Sequence, residues 1–225
     1  MNSIIVTGAN RGLGKEIHDL LVDKRIAQAN CYFTSRKPIE SPEKCFKYFI
    51  IDFGKINISA FEIEIDSPDD VVIYINNAGT IEPIGKAQDV TLSNLEYALR
   101  VNCTGPLAFA QDLVIQTKRI GARLFILNIS SGAARHPVDG WLAYCVSKAA
   151  ALMAFDVLAS ENDHVEIEHF DPGVMDTDMQ SFIRTQLPDI MPDVEKFRDL
   201  RDKHILKSPQ EIALKVISII KSVIR

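Results

Sequence analysis

The sequence contains little cysteine, and its cysteines do not follow the spacing of a metal site. Four cysteines occur among 225 residues, and no two of them form a C-x-x-C pair. Cysteine-based metal sites need such clustered ligands, so we expect no bound metal. Disulfides form mainly in oxidising compartments, and we expect reduced thiols in a cytoplasmic protein instead. The four positions are Cys31, Cys45, Cys103 and Cys145.

Positive charge and long apolar runs are also scarce. The net charge is −5 and the pI is about 5.6, whereas surfaces that bind nucleic acid or anionic membranes are basic. No stretch stays apolar for the ~20 residues of a membrane helix, and MNSIIVTGAN lacks the regions of a secretory signal. We therefore expect no nucleic-acid or membrane partner and a cytoplasmic location.

Short β-branched or aromatic runs alternate along the chain with longer helical patterns. This alternation predicts a parallel sheet covered by helices on both faces. No internal repeat or linker is present, so residues 1–225 are predicted to form one α/β domain. Strands are predicted at Ser3–Val6, Cys31–Ser35, Lys47–Asp52, Val71–Asn76, Arg123–Ile129 and Val165–Phe170. Helices are predicted at Gly14–Lys24, Asn94–Lys118, Ala143–Glu161 and Pro209–Ser222. Only RKPIESPEKCF separates the second strand from the third, which predicts a reduced crossover helix there.

A glycine-rich segment, TGANRGLGKEI, follows the first predicted strand and opens the first predicted helix. Its glycines allow a tight turn, close approach of the backbone to a pyrophosphate, and close packing of helix on strand. The helix N-terminus adds free N–H groups and a positive dipole end. Although a turn without a ligand would also suit these glycines, the position predicts dinucleotide binding by Gly8, Asn10, Arg11, Gly12, Leu13 and Gly14.

The end of the second predicted strand has no acidic residue. NAD-binding sites usually place a carboxylate there, on the ribose 2′-hydroxyl, but this segment reads YFTSRKP. Ser35 and Arg36, together with Arg11 in the glycine loop, offer a hydroxyl and two guanidiniums, which suit a 2′-phosphate. We therefore predict NADP(H) rather than NAD, although each arginine would also suit a solvated surface.

The segment GWLAYCVSKAA has the composition of a buried helix but carries Tyr144 and Lys148. Residues four apart share one helical face, and a lysine on a buried face needs a partner. The pair indicates either a catalytic site or a core tyrosine beside a lysine whose ammonium reaches solvent.

Six short segments, read in order, resemble those of the short-chain dehydrogenase/reductase family. They are T-G-x-x-x-G-x-G at Thr7–Gly14, N-N-A-G at Asn76–Gly79, Asn102 in RVNCTGP, Ser131 in NISSGA, Y-x-x-x-K at Tyr144 and Lys148, and P-G-x-x-x-T from Pro172 to Thr177. The resemblance implies one doubly wound Rossmann domain with strand order 3-2-1-4-5-6 and an NADP(H)-dependent oxidoreductase activity.

The same resemblance implies roles for four catalytic residues. Tyr144 would donate a proton to the carbonyl oxygen of a ketone that receives hydride. Lys148 would lower the pKa of Tyr144 and hold the nicotinamide ribose, and Ser131 would hydrogen-bond the oxygen as charge develops. Asn102 would hold a water that links Lys148 to solvent.

The remaining segments are implied to hold the cofactor. Residues after the third and fourth strands would flank the adenine and pass beneath its ribose, and the P-G-x-x-x-T segment would meet the nicotinamide. The residues in question are Asp52, Phe53, Asn77, Ala78, Gly79, Pro172, Gly173, Val174 and Thr177.

GWLAYCVSKAA and DPGVMDTDMQ look most like segments of sepiapterin reductases and bacterial benzil reductases. Both groups reduce one carbonyl of a vicinal diketone or a similar activated ketone with NADPH. The resemblance implies the same reaction on a small hydrophobic or vicinal ketone, with Trp141 and Met179 facing the substrate, although Trp141 would equally suit plain core packing. Three alternatives stay open: a pterin reductase, a non-catalytic NADP(H)-binding sensor, and an NAD-dependent dehydrogenase that works in the oxidative direction.

The sequence departs from these relatives at its end. There the last helix is followed by a further strand and an acidic tail, whereas this sequence ends at Arg225. We therefore expect six strands rather than seven, and no counterpart of the aspartate that anchors a pterin.

Two further segments carry expectations about the substrate and about assembly. Residues 178–207 combine apolar side chains with two prolines and are predicted to form a lid over the substrate, packing on the body of the domain. The helices at 94–118 and 143–161 are apolar on more than one face. In this family these two helices pair across a twofold axis, so we expect a homodimer.

Overall fold

The computed structural model describes residues 1–24, 29–39, 46–55 and 61–224. Six strands form one parallel sheet, in the order β3-β2-β1-β4-β5-β6. This order confirms the predicted doubly wound fold, and the described residues contain no seventh strand in the sheet. The strands are β1 (Ser3–Thr7), β2 (Asn30–Ser35), β3 (Phe46–Ile50), β4 (Val71–Asn76), β5 (Arg123–Ile129) and β6 (Val165–Phe170).

Helices cover both faces of this sheet. In the described part of the chain they are α1 (Gly12–Lys24), α2 (Leu92–Leu99), α3 (Gly105–Ile120), α4 (Leu142–Ser160), α5 (Asp178–Arg184), α6 (Val194–Asp202) and α7 (Pro209–Ile224), with short 3₁₀ turns at Ala87–Asp89 and Gly132–Ala134. Neighbouring residues of β1 point to opposite faces, as the pleat requires. Ile4 is buried in the cluster that includes residues of α1 and α7, and Ile5 in the cluster that includes residues of α3 and α4.

The helix predicted at Asn94–Lys118 is divided by a π-helical turn at Arg100–Thr104. The α-helical donor to the carbonyl of Asn102 would be the N–H of residue 106, which is a proline and has none. The N–H of Gly105 reaches back five residues to the carbonyl of Arg100. Pro106 thus explains why the chain widens at this turn, which places Asn102 beside the loop that follows β4.

Helix α4 is apolar on two opposite faces, as predicted. Its inner face buries Tyr144, Lys148 and Phe155, whereas an outer stripe of apolar side chains is exposed. By length and composition alone α4 could cross a membrane, contrary to the expectation that no such stretch exists. The same test is passed by core helices of soluble proteins, and α4 packs its inner face into the domain. The outer stripe consists of Leu142, Val146, Met153 and Val157.

The two crossovers at the β3 edge of the sheet are irregular where the structure describes them. Residues 36–39 after β2 form no helix, and the remainder of the predicted reduced crossover, 40–45, lies outside the described residues. Residues 61–66 run without helix before β4. Their backbone is tied to the domain by side chains, since the Glu64 N–H donates to the Tyr32 hydroxyl (2.8 Å) and the Ser3 hydroxyl donates to the Glu64 carbonyl (2.9 Å).

The segment predicted as a lid contains α5 and α6 and is fastened at both of its ends. Met175 and Lys207 form a parallel β-bridge, and the ammonium of Lys207 donates to the carbonyl of Pro172 at 3.1 Å. Within the segment, Arg198 of α6 donates to the backbone carbonyls of Arg184 (3.1 Å) and Gln186 (2.8 Å). These bonds occupy carbonyls that the end of α5 leaves without helical donors. The two short helices are therefore joined as one unit.

Candidate active site

A cleft of about 500 Å³ lies at the carboxyl edge of the sheet, where the loops after all six strands meet the lid. In an open parallel sheet, ligands bind at this edge, where the strand order reverses. Here the reversal falls between β1 and β4, which are neighbours in the sheet. The fold therefore brings together segments that are far apart in the sequence.

The loop after β1 has the backbone geometry that its glycines allow. Gly8 and Gly12 adopt left-handed conformations with φ of 69° and 53°, which cost little only for glycine. A Cβ atom on Gly14 would lie 2.2 Å from the carbonyl oxygen of Gly8 and 2.5 Å from Nδ2 of Asn77. The start of α1 therefore packs directly on the glycine turn, and the first residues of the helix line the cleft.

The loops after β1 and β4 are tied to each other. The Thr7 hydroxyl accepts hydrogen bonds from the N–H groups of Asn77 (3.0 Å) and Ala78 (3.1 Å), and Asn77 Nδ2 donates to the Thr7 carbonyl at 2.9 Å. These bonds hold the N-N-A-G segment beside the glycine loop. A dinucleotide cradle of this kind needs both loops in a fixed relation.

The cleft is lined by nearly all of the residues that the sequence predicted for the cofactor. Gly14 does not line it but stands behind the turn, where its missing side chain allows close packing. The other predicted residues all line the cleft: Gly8, Asn10, Arg11, Gly12, Leu13, Ser35, Arg36, Asp52, Phe53, Asn77, Ala78, Gly79, Tyr144, Lys148, Pro172, Gly173, Val174 and Thr177. Their roles toward a cofactor remain predictions.

One end of the cleft is basic. Arg11 and Arg36 line it, and with Lys37, Asn10 and Asp52 they also line an adjoining cavity of about 430 Å³. The sequence analysis missed Lys37, although a third cation beside Ser35 and Arg36 was visible in SRK. The buried hydroxyl of Ser35 donates to the carbonyl of Lys37, and its role toward a 2′-phosphate remains a prediction. It shapes the turn that carries the cations.

Tyr144 and Lys148 are both buried on the inner face of α4 and both line the cleft. The Lys148 ammonium donates to the Ile129 carbonyl at 2.8 Å and lies 5.9 Å from the centroid of the Tyr144 ring. Burial lowers the pKa of Lys148 to about 8, while the Asp171 carboxylate acts in the opposite direction. The hydrogen bond to Ile129 thus holds the Lys148 ammonium at the end of β5.

The pKa of Tyr144 differs from the prediction. Burial raises it to about 12, a hydrogen bond with Ser131 acts to lower it, and the Asp171 carboxylate acts to raise it. The predicted lowering by Lys148 is not among the causes of the shift; the largest is burial, which disfavours the charged phenolate. Tyr144 is consequently a neutral phenol over the whole physiological pH range.

Ser131 follows β5 and begins the 3₁₀ turn at Gly132–Ala134. Its hydroxyl accepts from the N–H of Ala133 at 3.2 Å, and its interaction with the Tyr144 phenol acts to lower the pKa of that group. Ser130 also borders the cleft, but its backbone continues the pairing of β5 with β6 through a bond from its N–H to the Phe170 carbonyl (2.8 Å). The structure thus places the predicted serine beside the phenol.

Asn102 is not among the residues that line the cleft. Its amide is occupied on both sides: Oδ1 accepts from the Thr80 N–H (2.8 Å), and Nδ2 donates to the Thr80 carbonyl (2.8 Å) and the Ser147 hydroxyl (2.9 Å). Ser147 in turn donates to the Tyr144 carbonyl at 2.9 Å. The Asn102 side chain therefore fixes the loop after Gly79 against α4, and the water predicted to be held by Asn102 stays a prediction.

The other end of the cleft is mainly apolar and is closed by the lid. Trp141 and Met179 line it as predicted, together with Ile81, Ile183 and Phe197. Three polar residues there were missed by the sequence analysis: His136, Asp171 and Gln180. Asp171 immediately precedes the P-G pair, and Gln180 follows Met179 in α5, so both lay inside segments that had already been singled out.

The described residues contain no cluster of His, Cys, Asp or Glu that could hold a metal ion. The site combines a glycine-rich cradle, a basic end, and a buried phenol–ammonium pair beside an apolar chamber. A Rossmann fold with these parts is that of a dinucleotide-dependent oxidoreductase.

Comparison with known proteins agrees with this class. The family model of the short chain dehydrogenases matches residues 2–188. Benzil reductase ((S)-benzoin forming) of Bacillus subtilis (strain 168) is 32% identical, with 98% of this chain and 94% of that protein covered. Sepiapterin reductase of Xenopus tropicalis is 28% identical, with coverages of 97% and 90%. The solved structure of the KRED1-Pglu enzyme has a TM-score of 0.77 at 26% identity, with coverages of 97% and 94%. The chain belongs to the short chain dehydrogenase family, whose members use NAD(P)(H), and the predicted resemblance is confirmed.

Replacement of Gly14 by alanine tests the geometry of the cradle. The new Cβ would collide with the Gly8 carbonyl and the Asn77 amide, so we expect the dinucleotide dissociation constant to rise by about tenfold or more, which corresponds to about 1.4 kcal/mol. The control is Gly85→Ala, because a Cβ at Gly85 would have no atom within 4 Å. Fluorescence titration of both variants measures the effect, and equal dissociation constants would contradict this account of the turn.

Proposed function

We propose that the protein reduces one carbonyl group of a small hydrophobic or vicinal ketone to the alcohol, with NADPH as the reductant. The observation that carries this proposal is the buried phenol of Tyr144. It is a neutral phenol whose pKa is influenced by the Ser131 hydroxyl, and it lies between the cofactor cradle and an apolar chamber. Bound NADPH would supply the hydride to the carbonyl carbon.

The protein's own groups act on the carbonyl oxygen. Hydride addition leaves negative charge on that oxygen, and Tyr144 donates the proton that completes the alcohol. The Ser131 hydroxyl donates a hydrogen bond to the same oxygen as charge develops. Lys148, fixed by the Ile129 carbonyl, places a positive charge near the phenolate that remains and is within the part of the cleft assigned to the nicotinamide ribose.

Substitution of Tyr144 by phenylalanine tests the assignment. The change removes one oxygen and keeps the ring in contact with Trp141, so turnover should fall by about 10²–10⁴, the usual contribution of a general acid. NADPH affinity should stay within about threefold, or about 0.7 kcal/mol. Tyr97→Phe is the matched control, because Tyr97 is 38% exposed and does not line the cleft. A Tyr144→Phe enzyme with a turnover close to that of the control would refute the proposal.

The preference for NADPH over NADH is part of the proposal and is supported by the charges at the basic end. Arg11, Arg36 and Lys37 line the adjoining cavity, and among its lining residues that the structure describes Asp52 is the single carboxylate. Asp52 also accepts a hydrogen bond from the Gly54 N–H at 3.0 Å, which holds its carboxylate toward its own turn. A phosphate on the ribose would therefore meet more positive than negative charge.

We expect NADPH to bind at least about tenfold more tightly than NADH, since charge-assisted hydrogen bonds contribute about 1.5–3 kcal/mol each. Arg36→Leu should reduce this ratio severalfold, whereas Arg119→Leu, an exposed arginine at the end of α3, should leave it unchanged. Titration of each variant with both cofactors measures the ratio. Equal dissociation constants for NADPH and NADH in the unaltered protein would argue for NAD instead.

A vicinal diketone is favoured as the substrate by two observations. The chamber between Tyr144 and the lid is lined by Trp141, Ile183 and Phe197, which suits an aromatic or aliphatic ketone. A relative that matches nearly the whole chain is a benzil reductase, and benzil is a diketone with two phenyl rings. A pterin substrate is the second candidate, because a sepiapterin reductase matches the chain over a similar length.

We further propose that two copies pair through the outer stripe of α4 and the adjoining surface of α3. Leu142, Val146, Met153 and Val157 recur on one face of the helix, and Ile115 of α3 is 58% exposed. An apolar face of this extent is unusual on an isolated domain. Sedimentation should show a dimer at micromolar concentration, and Met153→Glu should yield a monomer. Leu187→Glu is the control, since Leu187 is similarly exposed but lies in the lid; a monomeric unaltered protein would contradict the pairing.

A further inference from the structure

The apolar end of the cleft contains a buried polar side chain that has no role in the proposed proton transfer. Gln180 of α5 is 5% exposed and lines the cleft together with Ile183, one helical turn further on. Burying an amide costs free energy unless its groups are hydrogen-bonded. Because Gln180 lines the cleft, a group bound there could serve as the hydrogen-bond partner of its amide.

A hydrogen bond from Arg184 sets the orientation of the Gln180 amide. Oε1 accepts from Nη1 of Arg184 at 3.4 Å, and Arg184 is held in turn by Ser181 Oγ (3.0 Å) and Asp176 (3.3 Å). Because the guanidinium is only a donor, the oxygen of the amide must face it. The NH₂ group is left to face away, and it makes no hydrogen bond with any side chain or backbone group in the described ranges.

A second donor lies at the same end of the cleft. Trp141 is 6% exposed, and its indole Nε1 is the one fully buried side-chain nitrogen or oxygen without a hydrogen-bond partner in the described part of the chain. The indole stands edge-on to the Tyr144 ring, with 5.6 Å between centroids, and its other neighbour is Phe197 of the lid at 5.4 Å. Trp141 also lines the cleft, so an oxygen that displaces the lid side chains packed around the indole would meet this unpaired N–H.

We propose that Gln180 and Trp141 form a two-donor subsite that binds the second, non-reacting oxygen of a vicinal dicarbonyl substrate. This inference rests on the proposed carbonyl reduction and specifies its substrate. The two carbonyl carbons of a vicinal diketone are bonded directly to each other, so the two oxygens lie close together. When Tyr144 holds the reacting oxygen, the second oxygen lies in the adjoining space that Trp141 and the lid enclose.

Both donors are uncharged, which defines the kind of acceptor. A neutral carbonyl oxygen satisfies an amide or indole N–H without bringing a charge into an apolar chamber. The Asp171 carboxylate, which also lines the cleft, opposes an anionic group there. The subsite therefore selects neutral diketones over monoketones, because a monoketone would leave both donors unpaired.

The test compares two substrates with two variants. Benzil and deoxybenzoin carry the same two phenyl rings, but deoxybenzoin has a single carbonyl group. Gln180→Leu and Trp141→Phe each remove one donor while keeping apolar volume. For each variant we expect kcat/KM with benzil to fall by about tenfold more than kcat/KM with deoxybenzoin, the loss that a buried hydrogen bond usually brings. The benzil to deoxybenzoin ratio of kcat/KM is compared between each variant and the unaltered protein. The higher intrinsic reactivity of the diketone is the same in both and cancels.

Gln186→Leu is the matched control. It makes the same substitution in the lid, but the Gln186 amide donates to the Phe182 carbonyl (3.1 Å) and does not line the cleft. Its benzil to deoxybenzoin ratio should equal that of the unaltered protein. Thermal unfolding and NADPH titration of each variant confirm that it is folded and binds the cofactor.

Different results would refute the two-donor subsite and the proposed carbonyl reduction. If both ratios stay within about twofold, a change of about 0.4 kcal/mol, while benzil is reduced, the two-donor subsite is wrong and the carbonyl reduction stands. If neither ketone is reduced by the unaltered protein in the presence of NADPH, the proposed function itself is refuted. A loss confined to one variant would overturn the subsite as a pair, because each donor is required to act on the same oxygen.

Discussion

The structure of this site depends on one constraint, the placement of a lysine ammonium inside the protein. Lys148 is 8% exposed, and a charge at such a depth is tolerated only where polar groups replace water. The Ile129 carbonyl supplies the direct partner at 2.8 Å. That carbonyl is the last one of β5, so the end of a central strand and the middle of α4 must stay in register.

The surrounding hydrogen bonds keep α4 in that register. Ser147, adjacent to Lys148, bonds both to the Tyr144 carbonyl and to the Asn102 amide, and Asn102 holds the backbone of Thr80 from both sides. A side chain on the π-helical turn thereby links α4 to the loop after β4. The position of the phenol consequently depends on three segments, and a change at Asn102 would reach the site without contact with a substrate.

Much of the fold could be predicted from the sequence, because strand and helix positions follow from local hydrophobic patterns and the strand order follows from the family resemblance. The structure corrects the details that depend on non-local packing. Pro106 divides a helix that looked continuous, since one missing N–H changes its hydrogen bonding. The Ser35 hydroxyl bonds to the backbone of its own turn, which no composition shows. Gln180 faces the cleft only because the lid folds back over it, so its position was beyond a reading of the sequence.

The pKa of Tyr144 also depended on the folded structure, and its direction bears on the chemistry. Sequence reasoning placed a cation one helical turn away and expected a lowered pKa, whereas burial raises the pKa to about 12. A raised pKa keeps the phenol protonated at every pH below that value, which is the form that donates a proton to a nascent alkoxide. The reverse reaction would need the phenolate, and the ligand-free site disfavours it. Burial of the pair therefore accords with the proton-donor role proposed for Tyr144.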